Sequence, residues 1–168
     1  MWCQKAAPTP AAGRAPEQAA QAHGGTIVRV QWVYSVEGTG FVNRALAMMQ
    51  RGESVPLVTD QVGCPTPAPL LAEWLLELAN IPDRPEVVHL ATNGAASPVA
   101  WVSACAQAHG ITPLWHPITR AALTGATRPA RSCLDVSKTE ALFGRSLPRW
   151  SDALDIWMRT GALRSEVG

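Results

Sequence analysis

The sequence lacks a charge excess, a long uncharged apolar run and a secretion signal. Fourteen Lys and Arg against 13 Asp and Glu leave a formal net charge of +1, without a basic cluster, which argues against a nucleic-acid partner. Glu73 and Glu77 interrupt the longest apolar stretch, residues 68–78, which stays short of the roughly 18 residues that cross a bilayer. The N-terminus has no apolar signal core. We therefore expect a cytoplasmic protein without a membrane segment.

Metal-binding patterns are also missing. The four cysteines, Cys3, Cys64, Cys105 and Cys133, form no Cys-x-x-Cys pair, and none has a histidine at zinc-finger spacing. We expect reduced thiols in or near a core. His89 lies in an apolar run and is expected to be a packed strand residue.

Three phosphate or nucleophile motifs are absent as well. No Gly-x-Gly-x-x-Gly loop follows a strand, and there is no Gly-x-x-x-x-Gly-Lys loop and no Gly-x-Ser-x-Gly elbow. The phosphate-cradling turn of a dinucleotide fold is therefore not found among these residues.

What the chain has is enough apolar material for one domain, since 47% of its 168 residues are hydrophobic. Residues 1–25 are rich in Ala, Pro, Gly and Gln, and we expect a low-complexity, partly disordered N-terminal segment. Residues 26–160 form the expected domain, and residues 161–168 form a tail.

Hydrophobic periodicity predicts alternating strands and helices. The expected elements are a strand at 26–34, a helix at 41–50, an extended piece at 55–60, a proline loop at 63–67, a helix at 70–78, a buried strand at 86–92, a helix from Ser97 to Gly110, a proline-spaced connector to 132, a helix with a Ser137/Glu140 capping box, and a helix from Ser151. This order predicts an α/β architecture. Only two strands are convincing, so the chain resembles a piece of a larger fold.

Asp60 and Gln61 stand beside the rigid proline loop. A carboxylate and an amide at that place can hydrogen-bond a polyhydroxylated ligand, or they can hold the loop together, and the sequence favours neither reading.

Several segments resemble the dTDP-4-dehydrorhamnose reductases, which are extended short-chain dehydrogenases. The matching segments follow in order as Arg29-Val30-Gln31-Trp32-Val33-Tyr34, Phe41-Val42, Asp60-Gln61-Val62-Gly63-Cys64-Pro65-Thr66, Val88-His89-Leu90-Ala91, Arg128-Pro129 with Ser132, Leu134, Asp135, Ser137 and Lys138, and Pro148, Trp150 and Leu154. The resemblance covers roughly residues 17–160. It implies the last parallel strands of a Rossmann-like fold together with the small C-terminal substrate-binding domain.

The resemblance also implies an activity: reduction of dTDP-4-dehydro-L-rhamnose to dTDP-L-rhamnose with NADPH or NADH. In the family a tyrosine donates the proton and a lysine four residues later lowers its pKa. The alignment puts Thr9 at the tyrosine position and Gly13 at the lysine position, ahead of Pro16-Glu17-Gln18. We therefore expect a truncated, substrate-binding half that binds no cofactor and is inactive alone.

The resemblance assigns four residues to a dTDP-sugar cleft. Trp32 is expected to pack on the deoxysugar, Gln61 and Thr66 to line the cleft, and Arg128 to face the diphosphate. Gly40 departs from the pattern, because the family often has Asn there.

Two other hypotheses remain. The first is a non-catalytic binding or regulatory subunit, similar to the methionine adenosyltransferase regulatory subunit, that docks its sheet edge or C-terminal helices on a partner chain or in a homodimer. The second is a relative among nucleotide-sugar oxidoreductases or epimerases that takes a UDP- or GDP-sugar instead.

Overall fold

The described part of the chain contains three two-stranded parallel sheets. A computed structural model describes residues 11–35, 37–123 and 128–165. Its strands are β1 (Ile27–Val30), β2 (Val33–Tyr34), β3 (Val55–Val58), β4 (Thr66–Pro67), β5 (Val87–Leu90) and β6 (Trp115–Ile118), paired β1 with β5, β2 with β4 and β3 with β6. Its α-helices are α1 (Ala11–Ala22), α2 (Phe41–Gln50), α3 (Ala68–Ala79), α4 (Pro98–Ala108), α5 (Ser137–Phe143) and α6 (Trp150–Ser165), with a short 3-10 helix at Arg120–Ala122. The α/β prediction is confirmed.

The single strand expected over residues 26–34 is two strands. Trp32 has a left-handed backbone, with φ of +42°, and a residue in that region cannot continue an extended strand. The chain therefore leaves the β1–β5 sheet after Val30 and joins β4 through Val33 and Tyr34.

The predicted proline-spaced connector contains a strand that the sequence analysis missed. In β6, Trp115 pairs with Val55 and Ile118 with Val58. Pro117 argues against a strand in the sequence, because a proline has no N–H to donate to a ladder. A proline is nevertheless tolerated where one side of the strand has no partner. Pro56 occupies β3 in the same way.

Two apolar clusters hold the layers together. One lies around α2, α4 and β3 and includes the fully buried Leu57 and Val102. The other lies around α3, β5 and the C-terminal segments and includes Trp74 and Leu90. Each cluster covers one side of a narrow sheet, which alone would bury little.

The N-terminal segment, expected to be partly disordered, is described from residue 11 onward. Residues 11–22 form α1, because an alanine-rich sequence has high helix propensity even without large apolar side chains. The helix is anchored to β1 by Glu17, whose carboxylate accepts from Nε and Nη2 of Arg29 at 3.0 and 2.9 Å. Residues 1–10, including Thr9, lie outside the described residues.

The predicted capping box of α5 is wrong. The N-cap residue is Val136, without a side-chain cap bond, and Asp135 Oδ1 accepts the Ser137 N–H at 3.0 Å. The Glu140 carboxylate instead accepts from Asn93 Nδ2 at 2.6 Å and from the Leu147 N–H at 2.8 Å. A long-range contact thus replaces the local one, and Glu140 joins α5 to the segment after β5.

Other helix ends match the sequence. Ser97 Oγ accepts the Ala100 N–H at 3.1 Å at the start of α4, and Gly144 ends α5 with φ of +65°.

Among residues 11–35, 37–123 and 128–165, no helix combines the length and apolar character that a membrane crossing needs. His89 is half-buried, and its Nδ1 contacts the Asp135 carbonyl oxygen at 2.8 Å.

Replacement of the buried Leu57 tests the first apolar cluster. Leu57→Ala is expected to lower the free energy of unfolding by about 2–5 kcal/mol, because it leaves a cavity beside β3. Leu76 is 69% exposed, and Leu76→Ala should change this free energy by less than about 0.5 kcal/mol. Urea denaturation followed by circular dichroism measures both. Equal effects of the two substitutions would contradict this description of the core.

Candidate functional site

A cavity of about 310 Å³ opens beside three aromatic rings. We call it the aromatic cavity, and its lining residues are Trp32, Val33, Phe41, Pro56, Val58, Gln61, Pro98, Trp101, Ile118, Leu123 and Arg128. They come from the β1–β2 junction, the starts of α2 and α4, strands β3 and β6, the loop after β3, and the segment that follows the 3-10 helix. The cavity therefore forms only when these distant segments have come together.

Trp32 reaches the cavity because of its unusual backbone and a glycine opposite. Its indole lies over Gly63, where an added Cβ would be 2.7 Å from the indole Cδ2 and Cζ2 atoms and closer still to Cε2. The Trp32 carbonyl accepts the Thr66 N–H at 3.1 Å. The proline loop thus holds both the backbone and the ring of Trp32.

Trp101 forms the centre of the aromatic wall. Its ring stacks on Trp32 with centroids 5.6 Å apart and an interplanar angle of 28°, and it packs against Phe41 at 6.0 Å. Tyr34 contacts Trp101 edge-on from the core side at 5.2 Å. Burial raises the pKa of Tyr34, the only tyrosine of the chain, and Tyr34 does not line the aromatic cavity.

Gln61 and Asp60 have separate roles. Gln61 is buried and lines the cavity. Asp60 turns away to Arg120: its Oδ1 accepts the Arg120 backbone N–H at 2.8 Å and its Oδ2 accepts from Nε at 3.2 Å. The Arg120 backbone N–H and guanidinium hold the pKa of Asp60 below its ordinary value. The observed contacts of Asp60 are therefore those of a residue that holds the loop.

Arg128 supplies the positive charge of the cavity. Its carbonyl oxygen accepts from Nη1 of Arg120 at 2.8 Å, so the pair of Asp60 and Arg120 also positions this segment. Among the lining residues that the structure describes, Arg128 is the only charged side chain. An anionic ligand with an apolar face suits these surroundings.

Thr66 does not reach the cavity. The Thr66 side chain is fully buried. Its hydroxyl donates to the Cys64 carbonyl oxygen at 3.1 Å and accepts the Thr92 N–H at 3.2 Å. Of the four residues predicted from the sequence, the structure brings Trp32, Gln61 and Arg128 together and leaves Thr66 in the core, where it joins the proline loop to the segment after β5.

Sequence reasoning missed Phe41 and Trp101 as lining residues. Both lie in the first turn of a helix that follows a strand and a loop. Residues that follow the carboxyl ends of parallel strands gather at one edge of a fold, so an aromatic residue in each first turn was the available signal. Their helical spacing instead favoured a core position.

The family model named "RmlD substrate binding domain" matches residues 8–161 of the chain. A dTDP-4-dehydrorhamnose reductase of Sinorhizobium fredii is 33% identical over 139 residues, which are 76% of this chain and 47% of that protein. The reductase of Salmonella typhimurium is 31% identical over 135 residues, 74% of this chain and 45% of that protein. The chain spans about half the length of these curated relatives.

Solved structures share the fold. A dTDP-4-dehydrorhamnose reductase ortholog from Clostridium acetobutylicum superposes with a TM-score of 0.76 at 24% identity, over 86% of this chain and 52% of that one. The Bacillus anthracis reductase, in complex with NADP, has a TM-score of 0.73 at 22% identity, over 80% and 48%. A UDP-glucose 4-epimerase from Thermotoga maritima has a TM-score of 0.63 at 20% identity, over 92% and 51%.

These matches confirm the resemblance found in the sequence, and the expected fold with it. Family model and curated relatives agree along most of the chain. The chain therefore belongs to the dTDP-4-dehydrorhamnose reductase family and corresponds to its RmlD substrate binding domain.

Proposed function

We propose that this chain binds a dTDP-sugar nucleotide in the aromatic cavity, as the substrate-binding part of a dTDP-4-dehydrorhamnose reductase. One observation carries the proposal: Trp32, Gln61 and Arg128, distant in sequence, line one cavity of about 310 Å³. That volume lies at the small end of ligand sites, roughly 300–1,000 Å³. We therefore assign the deoxysugar and the adjoining phosphate to the cavity and the thymidine to the surface beyond it.

The aromatic wall suits the sugar. A deoxysugar carries an apolar face of C–H bonds, which packs favourably on an indole. Trp32 is half-buried and Trp101 fixes its ring by stacking, so little side-chain entropy is lost on binding. The Gln61 amide lies in the same cavity, and its one carbonyl and two N–H groups can hydrogen-bond sugar hydroxyls.

Arg128 suits the diphosphate. A guanidinium donates two parallel hydrogen bonds to phosphate oxygens. The Arg120 guanidinium donates to the Arg128 carbonyl oxygen and so holds the Arg128 backbone. The positive charge of Arg128 is therefore at the cavity before the ligand binds. None of the described lining residues is acidic. No carboxylate of the cavity lining therefore competes with the diphosphate for Arg128.

Hydride and proton delivery are assigned to another polypeptide segment. The 168 residues contain no Gly-x-Gly-x-x-Gly loop, and Thr9 and Gly13 stand at the positions that align with the family's tyrosine and lysine. Among the described strands, β1 pairs only with β5, so its second edge is open to a further parallel strand. We propose that a partner chain that carries the cofactor site covers that edge.

Substitution of two lining residues tests the binding site. Trp32→Leu and Arg128→Gln are each expected to weaken dTDP-rhamnose binding about 10- to 100-fold, since an aromatic anchor or a charge-assisted hydrogen bond contributes roughly 1.5–3 kcal/mol. Raising the salt concentration should weaken the wild type more than the Arg128 variant. Isothermal titration calorimetry measures both effects.

Matched controls come from the same chain. Trp115 is 36% exposed, Arg145 pairs with Glu77 at 2.5 Å, and neither residue lines the aromatic cavity. Trp115→Leu and Arg145→Gln should leave affinity within about twofold of the wild type. Equal weakening in all four variants, or tighter binding of UDP- or GDP-sugars than of the dTDP-sugar, would contradict the proposed site.

The purified chain is expected to bind sugar nucleotide without turnover. dTDP-rhamnose should raise the melting temperature, whereas NADPH should not, because a ligand stabilises only a fold that binds it. Incubation with dTDP-4-dehydrorhamnose and NADPH should leave the NADPH absorbance unchanged, since no hydride donor site is present in these residues. Ketone-dependent loss of that absorbance would overturn the assignment of catalysis to another segment.

A further inference from the structure

Two thiols from distant parts of the chain meet at a second cavity. This cavity, which we call the thiol cavity, has a volume of about 580 Å³, and Cys64, Cys133, Arg131, Asn93 and Arg149 are among its lining residues. Cys64 follows the Gly63 that supports Trp32, and Cys133 lies five residues after Arg128. Neither cysteine is part of a disulfide.

Backbone contacts hold the two cysteine segments side by side. Val62 and Arg131 form a parallel bridge. The Val62 N–H donates to the Ala130 carbonyl oxygen at 2.8 Å, and the Ser132 N–H donates to the Val62 carbonyl oxygen at 3.1 Å. Cys64 and Cys133 each follow that bridge by two residues. Because side chains alternate along extended backbone, both thiols project to the same side.

Gln31 joins the segments where direct pairing stops. Its side chain is buried, and its Oε1 accepts the Cys64 N–H at 2.9 Å while its Nε2 donates to the Ser132 carbonyl oxygen. One side-chain amide thus spans the gap between the two backbones beside the thiols. This amide therefore holds the two cysteine segments beside each other.

The surroundings of Cys133 favour its thiolate form. The hydrogen bond from Cys64 lowers the pKa of Cys133 to about 7, and the nearby charge of Arg131 acts in the same direction while burial opposes it. A large fraction of Cys133 is therefore thiolate near neutral pH, and the thiolate is the reactive form. Cys105 is the opposite case, because burial raises its pKa to about 12.

We propose that Cys64 and Cys133 are an oxidisable pair that forms a reversible intramolecular disulfide when a small hydroperoxide enters the thiol cavity. Cys133 is oxidised first, because it is half-buried beside the cavity, whereas Cys64 is only 2% exposed. Cys64 is the resolving thiol, because it lines the same cavity and stands at the matching position beyond the Val62–Arg131 bridge. Reactive and resolving cysteines so arranged are typical of redox-sensitive sites.

The chemistry balances in two steps. The Cys133 thiolate attacks one peroxide oxygen; an S–O bond forms, the O–O bond breaks, and hydroxide leaves and takes up a proton to become water. The Cys64 sulfur then attacks the Cys133 sulfur of the sulfenic acid; the S–S bond forms, the S–O bond breaks, and the second water leaves with the Cys64 proton. Two thiols lose two electrons, and one hydrogen peroxide is reduced to two waters.

The disulfide would cross-link the two segments that flank the aromatic cavity. Gln61 stands three residues before Cys64, and Arg128 stands five residues before Cys133. The inference does not rest on the proposed ligand, since the cysteine pair and its test need no sugar nucleotide.

Peptide mapping of the wild-type chain tests the pair directly. Purified protein is treated with equimolar hydrogen peroxide, alkylated with N-ethylmaleimide, and digested with trypsin and the glutamyl endopeptidase Glu-C. This digestion puts Cys64, Cys105 and Cys133 in separate peptides, 54–73, 87–120 and 132–138. The expected product, at monomer mass, joins peptide 54–73 to peptide 132–138, about 2 Da lighter than their sum. Dithiothreitol should release it.

Variants and stability complete the test. Cys105→Ser should keep the cross-link, whereas Cys64→Ser should lose it and leave a Cys133 sulfenic acid that dimedone traps. Oxidation should raise the wild-type melting temperature by roughly 5 °C or more, since the bond closes a long loop. The proposal is overturned if Cys133 accumulates only sulfinic acid, or if the cross-links that form involve Cys3 or Cys105 instead.

Discussion

The left-handed backbone of Trp32, held in place by the contact of its indole with Gly63, is the constraint on which the site and the sheet arrangement both depend. A non-glycine residue in this region costs on the order of 1 kcal/mol, so other contacts must offset it. The Thr66 N–H on the Trp32 carbonyl and the stack with Trp101 do so. A straight strand would carry Trp32 along the β1–β5 sheet and leave the aromatic cavity without its wall.

The residue before Trp32 extends that constraint to the second half of the domain. Gln31 follows β1 directly and joins the backbones of the proline loop and the Ser132 segment through its amide. Trp32 lines the aromatic cavity, and the Gln31 amide bonds the backbone of Cys64, which lines the thiol cavity. The aromatic cavity and the thiol cavity are therefore built on the same proline loop, and a change in the loop's position reaches both.

The sequence allowed the elements to be predicted wherever a local signal agreed with the final structure. The Ser97 cap and the Gly144 stop are of this kind, as are the residues that carry the family resemblance. The predictions were wrong where a contact across the chain overrode a local preference. Glu140 serves Asn93 and Leu147 instead of its own helix, and β6 exists because β3 offers it a partner despite Pro117.

The same distinction applies to the site. Trp32, Gln61 and Arg128 were found from a motif resemblance, and the fold brings them to one cavity. Thr66 belongs to the same motif, yet its hydroxyl is engaged between Cys64 and Thr92. A sequence motif therefore identifies residues that the fold brings close together. It does not distinguish the residues that line a cavity from the residues that hold a loop.

Asp60 illustrates how that separation is made physically. Its carboxylate accepts two hydrogen bonds from Arg120, which in turn donates to the Arg128 carbonyl. The pKa of Asp60 is lowered, first by the Arg120 backbone N–H, so the ionised form is favoured in the folded chain. Its stabilisation is present above the ordinary aspartate pKa and is lost as the pH falls through the lowered one. At neutral pH this chain of contacts is therefore intact, and the backbone of Arg128, the cation that lines the aromatic cavity, is held in place.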